Sequence, residues 1–365
     1  MKTVVSVIGT RPEATKMLPV LQELRRHQDV RSVLVSTGQH REMLRQTFTA
    51  LGLTPDHNLD LMQPDQTLAQ LTANLLTSLD PLLGNLQPDW VIAQGDTTTV
   101  MVTAMLAFYR RLRFGHVEAG LRTYDFEAPF PEEYNRRVAD LAAAAYFAPT
   151  EHAAEALRRE GIAEPLIHIT GNTGVDAALM LSQQPFDWSA SALATVDPDQ
   201  PFVLITAHRR ENFGEPLLRI CEAITRLAQR FTHVQFVYTV HLNPNVQRTV
   251  YTRLGQLANV HLLPPLDYPT MVHAIRHAYI ILTDSGGIQE EAPSFGVPLL
   301  VLREVTERPE GVAVGCAELV GTDVDLIVQR ASSYLMGSTR PRHQIPNPYG
   351  DGQAAARIVD ILLRS

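Results

Sequence analysis

Cysteine is scarce in this chain. Only Cys221 and Cys316 stand in 365 residues, and they form no CxxC pair. That argues against a disulfide framework and fits a reducing compartment. An excess of basic charge is also missing: 31 Lys and Arg against 39 Asp and Glu give a net charge of −8. A nucleic-acid partner is therefore not expected, although a local basic pocket for a phosphate is compatible with the total. No apolar run reaches membrane-spanning length. The short apolar stretch between Met1-Lys2 and Gly9 is too brief for a signal h-region and runs straight into Arg11, Glu13 and Lys16. A soluble, cytoplasmic protein with no membrane partner is expected. Solenoid-length repeats and low-complexity tracts are lacking too.

What is present is alternation. Short β-branched runs trade places with longer amphipathic stretches, the pattern of βαβ units and parallel sheets. In the first half the strand candidates are Val4–Ile8, Val33–Ser36, Trp90–Ala93, Gly115–Val117 and Tyr146–Pro149. Helical stretches such as Lys16–His27, Thr67–Leu83 and Thr98–Arg111 lie between them. Periodicity fails over Leu181–Gln200, which holds Ser-Gln-Gln-Pro and Asp-Pro-Asp and reads as a linker. A second series follows: Phe202–Thr206, Val234–Val240, Val260–Leu263, Tyr279–Thr283 and Leu299–Leu302. The length suits two doubly wound α/β domains in tandem, residues 1–180 and 201–350, with a last helix near 352–364 as a candidate to cross back to the first. Ligands of such sheets gather at the carboxyl ends of the strands.

Several strand ends carry charge. Gly9-Thr10-Arg11-Pro12-Glu13-Ala14-Thr15-Lys16 opens a helix with a capping-box spacing, and its N–H groups with Arg11 and Lys16 suit an anion. A capped helix with two solvated bases would leave the same trace. Asp96, in Gln94-Gly95-Asp96-Thr97, reads equally well as a helix cap. Glu118, in His116-Val117-Glu118-Ala119, is a carboxylate where an apolar residue belongs. Glu132 and Glu133 follow Pro129-Phe130-Pro131 in a first helical turn, where the helix dipole favours them anyway. Three turns on one sheet edge thus supply carboxylates, the arrangement acid–base work requires.

In the second half, Ala207-His208-Arg209-Arg210 follows a strand and suits a phosphate or acid–base site, or a solvated basic turn. Asp284-Ser285-Gly286-Gly287 joins strand to helix, and its two glycines let backbone approach an anion. Glu291, one turn later, is placed to accept ribose hydroxyls. The stretch Arg303–Gly311 packs charges too tightly for an ordinary loop. Gly350-Asp351-Gly352-Gln353-Ala354-Ala355 matches a dinucleotide fingerprint in spacing but follows no strand. His273 and His277, four apart, lack a third ligand and read as a helix-surface pair, so no metal site is expected. Cys221 reads as buried filler.

In order, GTRPEATK, TGQHREML, GDTTT, GHVEAGLRT, PFPEEYNR, TGNTGVDA, TAHRRENFG, VHLNPNV, LTDSGGIQEEAPSFGVP, LREVTERPEGV and NPYGDGQAA resemble the bacterial non-hydrolysing UDP-N-acetylglucosamine 2-epimerases. The resemblance covers almost the whole chain from residue 9. It implies two Rossmann-like doubly wound domains of the glycosyltransferase-B type, facing a cleft. It implies that UDP is held by Arg11, Lys16, Ser285, Gly286, Gly287 and Glu291, and that Asp96, Glu118, Glu132 and His208 are the acid–base candidates with Arg136 nearby. The implied partners are UDP-GlcNAc, UDP-ManNAc and UDP, in a homodimer. A second, activating UDP-GlcNAc would use Gln39, Arg209 and His241. One departure stands out: before Gln66-Thr67-Leu68, activated relatives commonly carry arginine, and this chain has Asp65.

The chemistry sets its own demands. The C2 proton of UDP-GlcNAc is not beside a carbonyl, so it leaves either after oxidation at C3 by NAD or during elimination of UDP to a 2-acetamidoglucal. The failed fingerprint argues against NAD, and no cofactor is expected. Elimination needs a carboxylate base, cations on the diphosphate, a closed site and one carboxyl with a raised pKa. Competing readings are a UDP-sugar-dependent glycosyltransferase, a hydrolysing 2-epimerase, a 2-epimerase of a modified UDP-HexNAc, and a nucleotide-sugar sensor.

Overall fold

In the computed structural model, which describes every residue except 39, 40, 62, 64 and 338, the β-branched runs form parallel strands. The first sheet contains β1 (Lys2–Ile8), β2 (Val30–Ser36), β3 (His57–Asn58), β4 (Trp90–Gln94), β5 (Arg113–Val117), β6 (Ala145–Ala148) and β7 (Ile167–Ile169). Their order is β3-β2-β1-β4-β5-β6-β7. Val4, Val5, Val7 and Ile8 of β1 are all fully buried, as a parallel strand covered on both faces requires. The order reverses between β1 and β4, so the turns after those two strands flank a topological switch point.

The second sheet contains β8 (Phe202–Thr206), β9 (Gln235–Thr239), β10 (Val260–Leu263), β11 (Ile280–Thr283), β12 (Leu299–Val301) and β13 (Ala317–Leu319). Its order is β10-β9-β8-β11-β12-β13. Here the switch lies between β8 and β11, whose last residues, Thr206 and Thr283, are in register. Strands β3, β7 and β13 were not expected from the sequence. All three are sheet edges of two or three residues with partly exposed side chains, too short to show a period.

The chain divides into two units, residues 1–180 with 350–365 and residues 181–349. The stretch expected to be a linker instead packs onto the second unit. Leu193 and Val196 are buried in its core beside Phe202 and Leu204, with Phe186 and Trp188 against them. Its polar turns hid four apolar anchors spaced too irregularly to read as an element. The helix Ala354–Arg364 belongs to the first unit and packs on the helix Arg11–Arg26. Lys2 Nζ donates to the carbonyls of Leu363 (2.7 Å) and Ser365 (2.6 Å), a cation on the unsatisfied end of that helix. Among the described residues no helix is long and apolar enough to cross a membrane.

Candidate active site

The turns after β4 and β5 carry Asp96 and Glu118. Asp96 does not cap the next helix. Thr97 does, its side chain accepting from Val100 N at 3.3 Å. The Asp96 carboxylate is therefore left for Arg136, whose Nη2 donates to it, and the Asp96 carbonyl accepts from Asn135 Nδ2 at 3.0 Å. Both partners lie on the helix Glu132–Leu141. Glu118 has φ +67°, a conformation that costs a non-glycine residue roughly 1–2 kcal/mol and that collects at functional sites. Its own N–H and that of Ala119 both donate to the Phe147 carbonyl, at 3.0 and 3.1 Å. Its carboxylate pairs with Lys16 Nζ and accepts from Asn172 Nδ2 at 3.3 Å.

The two acids of the proline-framed turn separate cleanly. Glu133 is buried and accepts from Thr123 N (3.0 Å), Tyr124 N (3.1 Å) and Arg136 Nη1 (3.3 Å). It ties the turn together and orients Arg136. Glu132 stays partly exposed at the start of the same helix.

At the end of β1 two N–H groups are taken within the turn itself, through the expected capping box. Gly9 N and Thr10 N donate to Glu13 Oε2, at 2.5 and 3.2 Å, so the helix's own carboxyl already occupies them. Burial raises the Glu13 pKa, against hydrogen bonds from Gly9, Thr97 and Thr10, to about 7. Arg11 is the first residue of that helix and partly exposed.

In the second unit the buried Asp284 joins the two switch-point turns. Its Oδ2 accepts from His208 N (2.7 Å), Arg209 N (2.8 Å) and Asn212 Nδ2 (2.9 Å). His208 Nδ1 stands 3.3 Å from Asp284 Oδ1. Burial lowers the His208 pKa; the Asp284 charge opposes this, while His241 and Arg209 reinforce it. The rings of His208 and His241 stack at 5.5 Å and 12°, which brings together two residues assigned to different roles. Gln39 lies outside the described residues.

Ser285 is the N-cap of the short helix Gly286–Glu291. Glu291 Oε1 accepts from the Tyr268 hydroxyl at 2.9 Å. Arg308 escaped the sequence reading, though it lies in the crowded stretch Arg303–Gly311. Its Nε donates to Glu290 at 2.8 Å, and its guanidinium lies so close to Gly286 that a Cβ there would be 3.2 Å from Cζ. A side chain at position 286 would push this guanidinium aside by a few tenths of an ångström. Burial works to raise the Glu307 carboxyl, but the charges of Arg303, Arg209 and Arg308 overcome it and hold it at about 2. The surplus of charge in this loop is a lattice of ion pairs, with Arg303 also bonded to Glu211 at 2.5 Å.

His273 is corrected: it is buried and stacked on Phe186 at 4.2 Å, rather than on the helix surface. Among the described residues no group of three His, Cys, Asp or Glu could hold a metal. Asp65 is exposed with φ +54°, and it is Thr67, accepting from Gln70 N at 3.2 Å, that caps the following helix.

Two doubly wound parallel sheets, each with charged side chains at its switch point, define an α/β enzyme of the glycosyltransferase-B type. A family model described as UDP-N-acetylglucosamine 2-epimerase matches residues 22–363. The UDP-N-acetylglucosamine 2-epimerase of Escherichia coli (strain K12) is 45% identical over 98% of both chains. The crystal structure of UDP-GlcNAc 2-epimerase from Neisseria meningitidis bound to UDP-GlcNAc is 40% identical, with TM-score 0.89 and full coverage of both chains. The S. aureus MnaA–UDP structure is 41% identical with TM-score 0.87, over 100% of this chain and 96% of that one. The chain belongs to the UDP-N-acetylglucosamine 2-epimerase family, a family of isomerases.

Proposed function

We propose that this protein interconverts UDP-GlcNAc and UDP-ManNAc by eliminating UDP and adding it back. The observation that carries the reading is the pair of cation-matched carboxylates, Asp96 with Arg136 and Glu118 with Lys16, on neighbouring strand ends of one sheet. A carboxylate takes the proton from C2, the C–H electron pair becomes the C1–C2 double bond, and the C1–O bond breaks with its electrons on the departing diphosphate. UDP stays bound to the glycal. Re-addition at C1 with a proton delivered to the opposite face of C2 gives the epimer, so atoms and charge balance with no oxidant. Asp96, Glu118 and Glu132 are the acid–base groups. His208, with a lowered pKa, is neutral near pH 7 and acts there as a proton acceptor or hydrogen-bond donor.

UDP is held by Ser285, Gly286 and Gly287 through backbone and hydroxyl, by Glu291 on the ribose, and by Arg11 and Lys16 on the diphosphate. Arg308, lying against Gly286, adds a planar guanidinium suited to phosphate oxygens. Lys16 is paired with Glu118, so diphosphate binding competes for that cation and loosens Glu118 as substrate arrives. Arg209 and His241 belong to the rim where a second UDP-GlcNAc would activate the enzyme. The family implies a cytoplasmic homodimer that supplies ManNAc-type sugars for cell-surface polysaccharide. The test is to follow pure UDP-GlcNAc by proton NMR without added NAD or metal. Appearance of UDP-ManNAc supports the reading. Free ManNAc accumulating one-for-one with UDP would make the enzyme a hydrolase, and transfer only to an added sugar acceptor would make it a glycosyltransferase.

A further inference from the structure

His116 ends β5, two residues before Glu118, and is fully buried. Both of its ring nitrogens face oxygen. Nε2 is 2.7 Å from the Gly95 carbonyl, and Nδ1 is 2.6 Å from Asp140 Oδ1. A carbonyl can only accept, so Nε2 carries a hydrogen. The other oxygen of Asp140 accepts from Arg122 Nη2 at 2.6 Å, which leaves Asp140 an ionised acceptor, and its Oδ1 then needs a hydrogen from Nδ1. The geometry demands both protons on the ring. Arg122 also bonds Glu160, at 2.8 and 2.7 Å, and Arg137 Nε stands 3.9 Å from Glu160 Oε1, so cations and anions alternate through the cluster. Tyr146 donates to the Asp140 carbonyl at 2.7 Å. Consistently, burial works to lower the His116 pKa, but Asp140 and the Gly95 bond outweigh it and the value is raised.

The bonds reach the three segments that carry the acids. Gly95 precedes Asp96, and its N–H donates to the Val117 carbonyl at 3.0 Å. Asp140 lies on the helix Glu132–Leu141, which also holds Glu132, Arg136 and Asn135. We propose that His116 is a positioning residue: a permanently doubly protonated imidazolium that braces the Gly95 carbonyl against Asp140 and thereby fixes Asp96 relative to Glu118 and Arg136. This rests on the reading of Asp96 and Glu118 as acid–base groups. A displacement of about 1 Å in such a group lowers turnover by about a hundredfold.

Two near-isosteres separate the halves of the brace. His116→Gln places an amide N–H where Nε2–H was and keeps the Gly95 bond. His116→Asn places one where Nδ1–H was and keeps only the Asp140 bond. On the full-length enzyme, kcat for UDP-GlcNAc, UDP affinity by calorimetry and the thermal midpoint are measured for both variants and for Asp96→Asn. His116→Asn should lose at least about tenfold more kcat than His116→Gln, while UDP affinity in both stays within about threefold of the parent. A merely structural histidine predicts kcat losses that follow the thermal midpoints, whichever amide is present. An inactive Asp96→Asn beside equal kcat in the two His116 variants overturns the brace alone. Parental turnover in Asp96→Asn overturns the acid–base reading and the brace with it. Should neither His116 variant fold, the parent still decides: with ¹⁵N-labelled histidine, both His116 ring nitrogens should show directly bonded hydrogens at pH 8, and one bare nitrogen overturns the proposal.

Discussion

At the ends of β4 and β5 each acid is paired with a cation, Asp96 with Arg136 and Glu118 with Lys16. At the ends of β8 and β11 the pattern differs. One buried carboxylate, Asp284, ties down three donors of the neighbouring turn, two glycines expose backbone, and arginines crowd the flank. The first arrangement sets each acid beside a cation on a strand-end turn, where the proposed function has them exchange protons with the substrate. The second makes a shaped rim of donors with a carboxylate, Glu291, oriented by Tyr268. In the proposed function the carboxylate acids come from the first unit, which also lends Arg11 and Lys16 to the diphosphate, while the glycine turn and the ribose carboxylate come from the second.

The comparison breaks most sharply by mutation. Asp96→Asn, Glu118→Gln and Glu132→Gln should each lower kcat by roughly 10²-fold or more, the scale of a lost general acid or base. UDP binding by calorimetry should barely move in Asp96→Asn and Glu132→Gln, while Glu118→Gln, which frees Lys16 for the diphosphate, should tighten it modestly. Glu291→Gln should do the reverse, weakening UDP by about tenfold because a neutral amide accepts ribose hydroxyls less well. If Asp96→Asn loses UDP as badly as Glu291→Gln, the division between the units is wrong.

A smaller effect concerns the rim. The resemblance implies an arginine at this position in activated relatives, and we propose that the carboxylate of Asp65 would repel the diphosphate of a second UDP-GlcNAc there. Initial rates with pure UDP-ManNAc should be nearly hyperbolic in substrate and change little with a trace of UDP-GlcNAc. A strict requirement for the trace would show that the activating site works despite Asp65.

The smallest effect is on stability. The Glu13 pKa is raised from 4.5 to about 7, so the folded chain binds an extra proton between those values. That contribution to stability is complete below pH 4.5 and is lost as pH rises through 7. Glu13→Gln still accepts from Gly9 and Thr10 but has no proton to lose. The difference in thermal midpoint between variant and parent should therefore shift in the variant's favour from pH 5 to pH 8. A constant difference would mean that Glu13 does not titrate in this window.

Much of this was legible in the residues. Apolar runs such as Phe202–Thr206 mark a strand buried on both faces and match β8 to the residue. The edge strands were illegible because three half-exposed residues have no period, and Leu193 and Val196 were hidden among turn-forming neighbours. The strand-end charges were legible as a set, but their partners were not. That Asp96 would meet Arg136 forty positions on, or that Glu133 rather than Glu132 would be buried, depends on packing and not on spacing. Likewise Glu13 read as a cap, and only the folded turn shows that it takes the N–H groups of both Gly9 and Thr10.

The most direct test of the account is the fate of the C2 hydrogen. UDP-GlcNAc is incubated with the enzyme in heavy water and both UDP-sugars are examined by proton NMR. Elimination and re-addition predicts UDP-ManNAc with deuterium at C2, and deuterium entering the C2 position of the remaining UDP-GlcNAc as equilibrium is reached. Epimerisation with the original hydrogen retained at C2 in both sugars would contradict it.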